Sequence, residues 1–166
     1  MGVRTLVKVS GSLLQHIRVF QQLKEMNQHH HLTICVGGGE QINDAFTARG
    51  NPITFGPFDR VCQYDEEREL VEKVLQDNAR RFRGELSAYG IEANVFIPIF
   101  KKEVAGILCN VNADWLPIVF YDNFDEFQVF TLTKNVESKR LFYRDIWQRC
   151  GGEGYPEKIS VVGFDP

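Results

Sequence analysis

Two short β-branched runs that each lead straight into glycine, with a helix-periodic segment between them, restrict the fold of this chain more than any other feature. Thr5-Leu6-Val7-Lys8-Val9 runs into Ser10-Gly11-Ser12, and Leu32-Thr33-Ile34-Cys35-Val36 runs into Gly37-Gly38-Gly39. Between them Leu13, Leu14, Ile17, Phe20 and Leu23 recur at three- and four-residue intervals, as one face of a helix requires, before a polar stretch over 27–31. Strand, helix, strand makes a βαβ unit. A right-handed crossover renders the two strands parallel and sets both glycine loops at carboxyl ends of strands, where open α/β sheets bind ligands. A polar helix around Gln41 to Ala48 follows the second loop.

The remaining chain continues the alternation. Residues 49–63 read as irregular, with Pro52, Gly56 and Pro57 as breakers and Phe55 and Phe58 as apolar anchors. The acidic start Asp65-Glu66-Glu67 suits a helix N-terminus, and Leu70, Val74, Phe82, Leu86 and Tyr89 keep helical spacing up to Gly90. Strands are predicted over 95–100 and 104–111, with Pro117 in the first turn of a following helix. A strand over 128–133, a helix over 138–148 and a last strand over 159–162 complete the pattern. With 166 residues and 43% hydrophobic content, one compact domain spanning 1–166 is expected. The expected fold class is α/β, a three-layer α/β/α sandwich around a mainly parallel sheet.

Charge and composition exclude several functions. A formal net charge of −3 lacks the basic excess of a non-specific nucleic-acid binder. No apolar run approaches the ~18 residues that read as a membrane span, and the N-terminus does not resemble a secretion signal, so a cytoplasmic protein without a membrane partner is expected. Cys35, Cys62, Cys109 and Cys150 have no zinc-type spacing and read as reduced, mostly buried thiols. His29-His30-His31 reads as a solvated helix end, and no metal is assigned. Arg80-Arg81-Phe82-Arg83 reads as a solvated face or the edge of a subunit interface, which leaves homo-oligomerisation open.

The chemistry lies in the two glycine loops. Unpaired N–H groups at a helix start carry the positive end of its dipole, and glycine lets an anion approach them closely. Gly37-Gly38-Gly39 therefore reads either as an anion cradle or as a plain tight turn. Lys8, in an otherwise apolar strand, must send its ammonium to the strand end or pair it. From the residues alone, Asp114 reads as a helix N-cap before Pro117. Neither a G-x-x-x-x-G-K-[ST] loop nor a G-x-G-x-x-G fingerprint occurs.

The order of these pieces resembles the amino acid kinase family, most closely its acetylglutamate kinase and uridylate kinase branches. Residues 8–14 are similar to the family's lysine-glycine loop and residues 36–43 to its second glycine loop. Residues 53–61 with 67–75 resemble the acceptor loop and long helix, and Ile97-Pro98-Ile99 with 106–114 the Asn-x-Asn-Ala-Asp signature. The resemblance implies ATP-dependent phosphoryl transfer, with ATP and Mg²⁺ as cofactors, to a small carboxylate or phosphate acceptor. In that scheme Lys8 and Lys158 stabilise the transferring group and Asp114 orients the lysines. Gly11, Ser12, Gly37, Gly38, Gly39 and Thr133 line the phosphates or nucleotide, while Arg60, Asn110 and Asn112 hold the acceptor. The chain passes almost directly from Gly90 to Val95, where the family inserts an acceptor lobe, and carries Lys134-Asn135-Val136 where relatives have an Asp-Gly-Val turn. Those departures imply the alternative, a catalytically inactive ligand-binding or regulatory relative of the same fold.

Overall fold

The computed structural model describes residues 2–56, 60–99, 101–104, 107–110 and 112–166, with segments 101–104 and 107–110 described by their backbone. Pro57, Phe58, Asp59, Phe100, Gly106 and Val111, and the side chains of Cys109 and Asn110, lie outside the described residues.

The first β-branched run forms β1 (Val3–Val9) at the centre of the main sheet. It pairs in parallel with β2 (His30–Val36) on one side and with β6 (Glu126–Leu132) on the other. Parallel partners β3 (Asn94–Phe96) and β7 (Ile159–Phe164) complete the order β3-β2-β1-β6-β7. Strand alternation divides the core between two faces. Val7, Val9, Ile34, Val36 and Phe130 pack with Val19, Phe20 and Leu23 of α1 (Ile17–Met26) and Phe82 and Leu86 of α3 (Asp65–Ala88). Leu6, Phe127, Val129 and Val161 pack on the other face with Tyr143 of α5 (Val136–Arg149). Helices thus cover both faces of a five-stranded parallel sheet, the expected three-layer α/β/α arrangement.

Local chemistry explains most element boundaries. Leu13 and Leu14 precede α1 rather than join it, because Gly11–Leu13 closes as a 3₁₀ turn that buries Leu13. The second glycine loop opens α2 (Gly39–Ala48), with Gly38 at the N-cap. At the start of α3, Glu67 Oε2 accepts from the backbone N–H groups of Gln63 (2.7 Å) and Tyr64 (3.3 Å). Its end is a Schellman motif, with Gly90 at φ 68° and Ile91 N–H donating to the Leu86 carbonyl at 2.9 Å.

The region after α3 departs from the sequence expectation. Proline lacks a ladder N–H, so the strand predicted over 95–100 stops at Phe96, ahead of Pro98. The next residues form instead a separate antiparallel hairpin, β4 (Lys101–Val104) with β5 (Ile107–Asn110). A 3₁₀ turn, Ala113–Trp115, then leads into the short α4 (Leu116–Val119), with Pro117 in its first turn. The N-cap of that turn is Asn112, whose Oδ1 accepts from Asp114 N–H at 3.0 Å, leaving the Asp114 carboxylate to other partners.

Candidate functional site

Lys8 is the next-to-last residue of β1, and its side chain leaves the α5 face of the sheet and reaches the carboxyl end of the strand. The residue is 5% exposed, flanked in register by Cys35 and Val129. A buried ammonium without a partner would cost several kcal/mol, and the fold supplies partners. Lys8 Nζ lies 2.7 Å from Asp114 Oδ1 and donates to Ser10 Oγ at 3.2 Å. From α5, Lys139 donates to the other carboxylate oxygen, Asp114 Oδ2. One carboxylate, 4% exposed, therefore joins two ammonium groups from elements distant in sequence. Burial by itself would raise the Asp114 carboxyl, but the charges and hydrogen bonds of Lys8 and Lys139 outweigh it and bring it down to about 2. At neutral pH Asp114 is thus a fixed negative charge rather than a carrier of protons. Beside it, burial pushes the Cys35 thiol up to about 12 against the pull of Lys8, which removes Cys35 as a nucleophile.

The glycine loops lie against each other over this triad. Gln41 Nε2 donates to the Gly11 carbonyl at 3.0 Å, and Asn78 Nδ2 to the Gly37 carbonyl at 3.3 Å. A Cβ at Gly11 would stand 3.1 Å from Gly38 Cα, and one at Gly38 3.0 Å from both Leu75 Cδ2 and Asn78 Nδ2. A side chain at either position would push its neighbours aside, so close approach favours glycine at both. Arg60, 9% exposed, donates from Nε to Asn43 Oδ1 (2.8 Å) and from Nη2 to the Gly39 carbonyl (2.9 Å), with its guanidinium 5.0 Å from the Phe55 ring centroid.

These groups surround a cavity of about 270 Å³ at the carboxyl ends of the strands. It sits where β1 and β6 adjoin, the point at which successive strands stop extending the sheet one way and begin extending it the other. Of the residues singled out from sequence, Lys8, Gly11, Ser12, Gly37, Gly38, Gly39, Arg60, Asn112 and Asp114 line it. Two others are placed elsewhere. Thr133 opens a 3₁₀ turn and donates to Asp165 Oδ1 at 2.7 Å, while Thr131, still within β6, faces the cavity. Lys158 precedes β7 and so stands at the amino ends of the strands, where its Nζ donates to the Tyr121 and Phe124 carbonyls at 3.1 and 3.2 Å. The backbone of Asn110 ends β5.

Sequence reasoning missed Lys139, Thr131 and Asn135, all of which line the cavity. A signal for Lys139 existed: a lysine in the opening turns of a helix is opposed by the helix dipole and calls for a compensating anion. Nothing in the sequence named Asp114 as that anion.

No protein-family model matches the chain, and no curated protein does. Among solved structures it is similar to smu.665 from Streptococcus mutans UA159, with TM-score 0.63 and 16% identity over 77% of this chain and 72% of that one. It is also similar to N-acetylglutamate synthase from Neisseria gonorrhoeae complexed with coenzyme A and L-arginine, with TM-score 0.52 and 10% identity over 97% of this chain and 56% of that one. The same synthase complexed with coenzyme A and N-acetyl-glutamate aligns with TM-score 0.47 and 13% identity, over 80% of this chain and 42% of that one. The chain thus spans about half the length of the synthase.

These findings correct the kinase expectation. None of these proteins is named a kinase, and the synthase that aligns with TM-score 0.52 is complexed with coenzyme A and L-arginine. Membership of the amino acid kinase family, phosphoryl transfer, the ATP and Mg²⁺ cofactors and the inactive-relative alternative are all withdrawn on that ground. The physical reason is that strand-glycine loop-helix units arise in any parallel α/β sheet that cradles an anion, so their order does not identify a family. Among the described residues no helix is long and apolar enough to cross a membrane, and no cluster of His, Cys, Asp or Glu is arranged to hold a metal ion.

Proposed function

We propose that this cavity binds the anionic end of a small metabolite, a carboxylate in the first instance, on the floor formed by Lys8, Asp114 and Lys139. The observation that carries this reading is the charge imbalance of the floor: two ammonium groups share one carboxylate, and that carboxylate stays ionised down to about pH 2. A net positive charge in a concave, partly desolvated site is best satisfied by an incoming anion. The uncapped first turn of α2 adds N–H dipoles to the same side, since Gly38 has no side chain to accept from them. At about 270 Å³ the cavity falls just below the usual ligand-pocket range of about 300–1,000 Å³, which favours a small metabolite over a whole nucleotide-bearing cofactor.

A finer reading is supported by the fold shared with N-acetylglutamate synthase: an enzyme of the transferase class, moving an acyl group from a thioester to the amino group of an amino acid whose carboxylate sits on that floor, with the thiol as leaving group. In such a site the lysines would contribute by holding negative charge, since Asp114 is ionised throughout the neutral range.

Calorimetric titration with N-acetylglutamate, L-arginine and inorganic phosphate tests the binding. We expect saturable binding of at least one of them, weakened at least tenfold in Lys139→Gln. Absence of binding by all three, or affinities indifferent to Lys139→Gln, would overturn the reading. Thiol release from acetyl-coenzyme A in the presence of an amino acid panel tests the transferase assignment, and no amino-acid-dependent release would remove it while leaving the binding site intact.

A further inference from the structure

The cavity has a second character that an anion alone does not use. Part of its wall is apolar: Ile42 from α2 and Val71 and Leu75 from α3 line it, beside Arg68 and Glu72 of the same helix, with Pro98 and Ile99 also contributing. Ile42, Val71 and Leu75 belong to a buried cluster with Phe46, Cys62 and Leu70 and are only 5–7% exposed, so the wall is fixed by packing behind it. It stands directly beside the anion-facing loop. A Cβ placed on Gly38 would lie 3.0 Å from Leu75 Cδ2 and 3.6 Å from Ile42 Cδ1, so methyl groups lie within side-chain contact of the glycine backbone. Water held against such a wall has few hydrogen-bond partners, and a small inorganic anion on the floor would leave it in place.

Resting on the binding reading above, we propose that the ligand is amphipathic: an anionic head on the Lys8–Asp114–Lys139 floor, carrying a short aliphatic or acyl arm that lies along Ile42, Val71 and Leu75. Apolar walls with a few convergent polar groups are how small-molecule sites divide affinity from orientation. Here the lysines orient the head. The aliphatic wall selects the arm by length, because α3 and its packing cluster do not yield to an arm that is too long.

Binding of the straight-chain acids acetate, propionate, butyrate, valerate and hexanoate to the intact chain tests this by NMR titration. Burial of a methylene is worth about 0.8 kcal/mol, so affinity should rise about fourfold with each added carbon until the wall is filled, then level off. Val71→Thr keeps the side-chain shape but adds a hydroxyl. It should weaken valerate at least fivefold more than it weakens acetate. If acetate binds and the series is flat, the amphipathic assignment is overturned while the anion site stands. If no acid binds at all, or binding is indifferent to Lys139→Gln, the anion site itself falls. The wild-type series decides the question even if the Val71 variant folds poorly.

Discussion

Replacing Asp114 by Asn removes the charge that holds two buried or half-buried ammonium groups together while keeping the side-chain shape. Lys8 and Asp114 have side chains only 7% and 6% exposed, so the remaining lysine charge is not rescued by solvent. Breaking a buried pair by removing one partner typically costs about 3–5 kcal/mol. An independent bound comes from titration. The Asp114 carboxyl is lowered from its ordinary 3.8 to about 2, and at about 1.36 kcal/mol per pKa unit this is worth about 2 kcal/mol. The sign is that of a depressed acid: the contribution is fully present above pH 4 and is lost as pH falls towards 2, with about half gone at pH 3. Asn cannot titrate, so the stability gap between wild type and Asp114→Asn should be about 3 kcal/mol at pH 7 and narrow by about 1 kcal/mol at pH 3. Urea denaturation at both pH values measures the gap. For a domain of this size the pH 7 difference corresponds to a melting temperature lowered by about 6–12 °C. A variant within 0.5 kcal/mol of wild type, or a gap that does not shrink on acidification, would refute the triad as a source of stability.

Three further outcomes follow from the same geometry. Gly11→Ala would place a Cβ 2.5 Å from Gln41 Oε1 and 3.1 Å from Gly38 Cα, spreading the loops; denaturant melts should show a loss of about 1–3 kcal/mol. Lys158→Ala removes bonds to the Tyr121 and Phe124 carbonyls at the far ends of the strands, so it should cost about 1–3 kcal/mol of stability yet leave carboxylate affinity unchanged in calorimetry. In the native protein at pH 8, a thiol reagent should modify exposed Cys150 and spare Cys35, whose thiol at about 12 is roughly one part in ten thousand thiolate; mass spectrometry of the peptides reads the difference.

The parts of the fold that were legible in sequence are those governed by local chemistry. Both central strands, the glycine loops and the long helix announced themselves through β-branched runs, turn residues and an acidic first turn. β5 falls within the strand predicted over 104–111, but its partner β4 did not announce itself, because Lys101-Lys102-Glu103 has no apolar alternation and pairs away from the main sheet. At the site, Lys8 and the glycines were legible because a lysine in an apolar strand and a glycine triplet are locally anomalous. The second lysine was sought at Lys158, where a glycine-rich turn attracted attention, whereas the residue that meets Asp114 is Lys139 on α5. That pairing depends on how α5 packs across the sheet, a fact of tertiary arrangement with no trace in the neighbouring residues. The kinase resemblance misled for a related reason, since short loops report the local task of approaching an anion and not the reaction performed there.

The position of Lys8 in the central strand also bears on how the chain is made. β1, β2 and β3 are contiguous in the sheet and are translated before the group that neutralises Lys8, Asp114 in the turn before α4, and before α5, whose Lys139 shares that carboxylate. A nascent chain that has completed only its first three sheet strands must leave that lysine wet, so the α5 face cannot close prematurely. Completion of the core is thereby tied to synthesis of the second half, and a product truncated before Asp114 would keep its central strand exposed on one side, a form suited to recognition by chaperones and proteases.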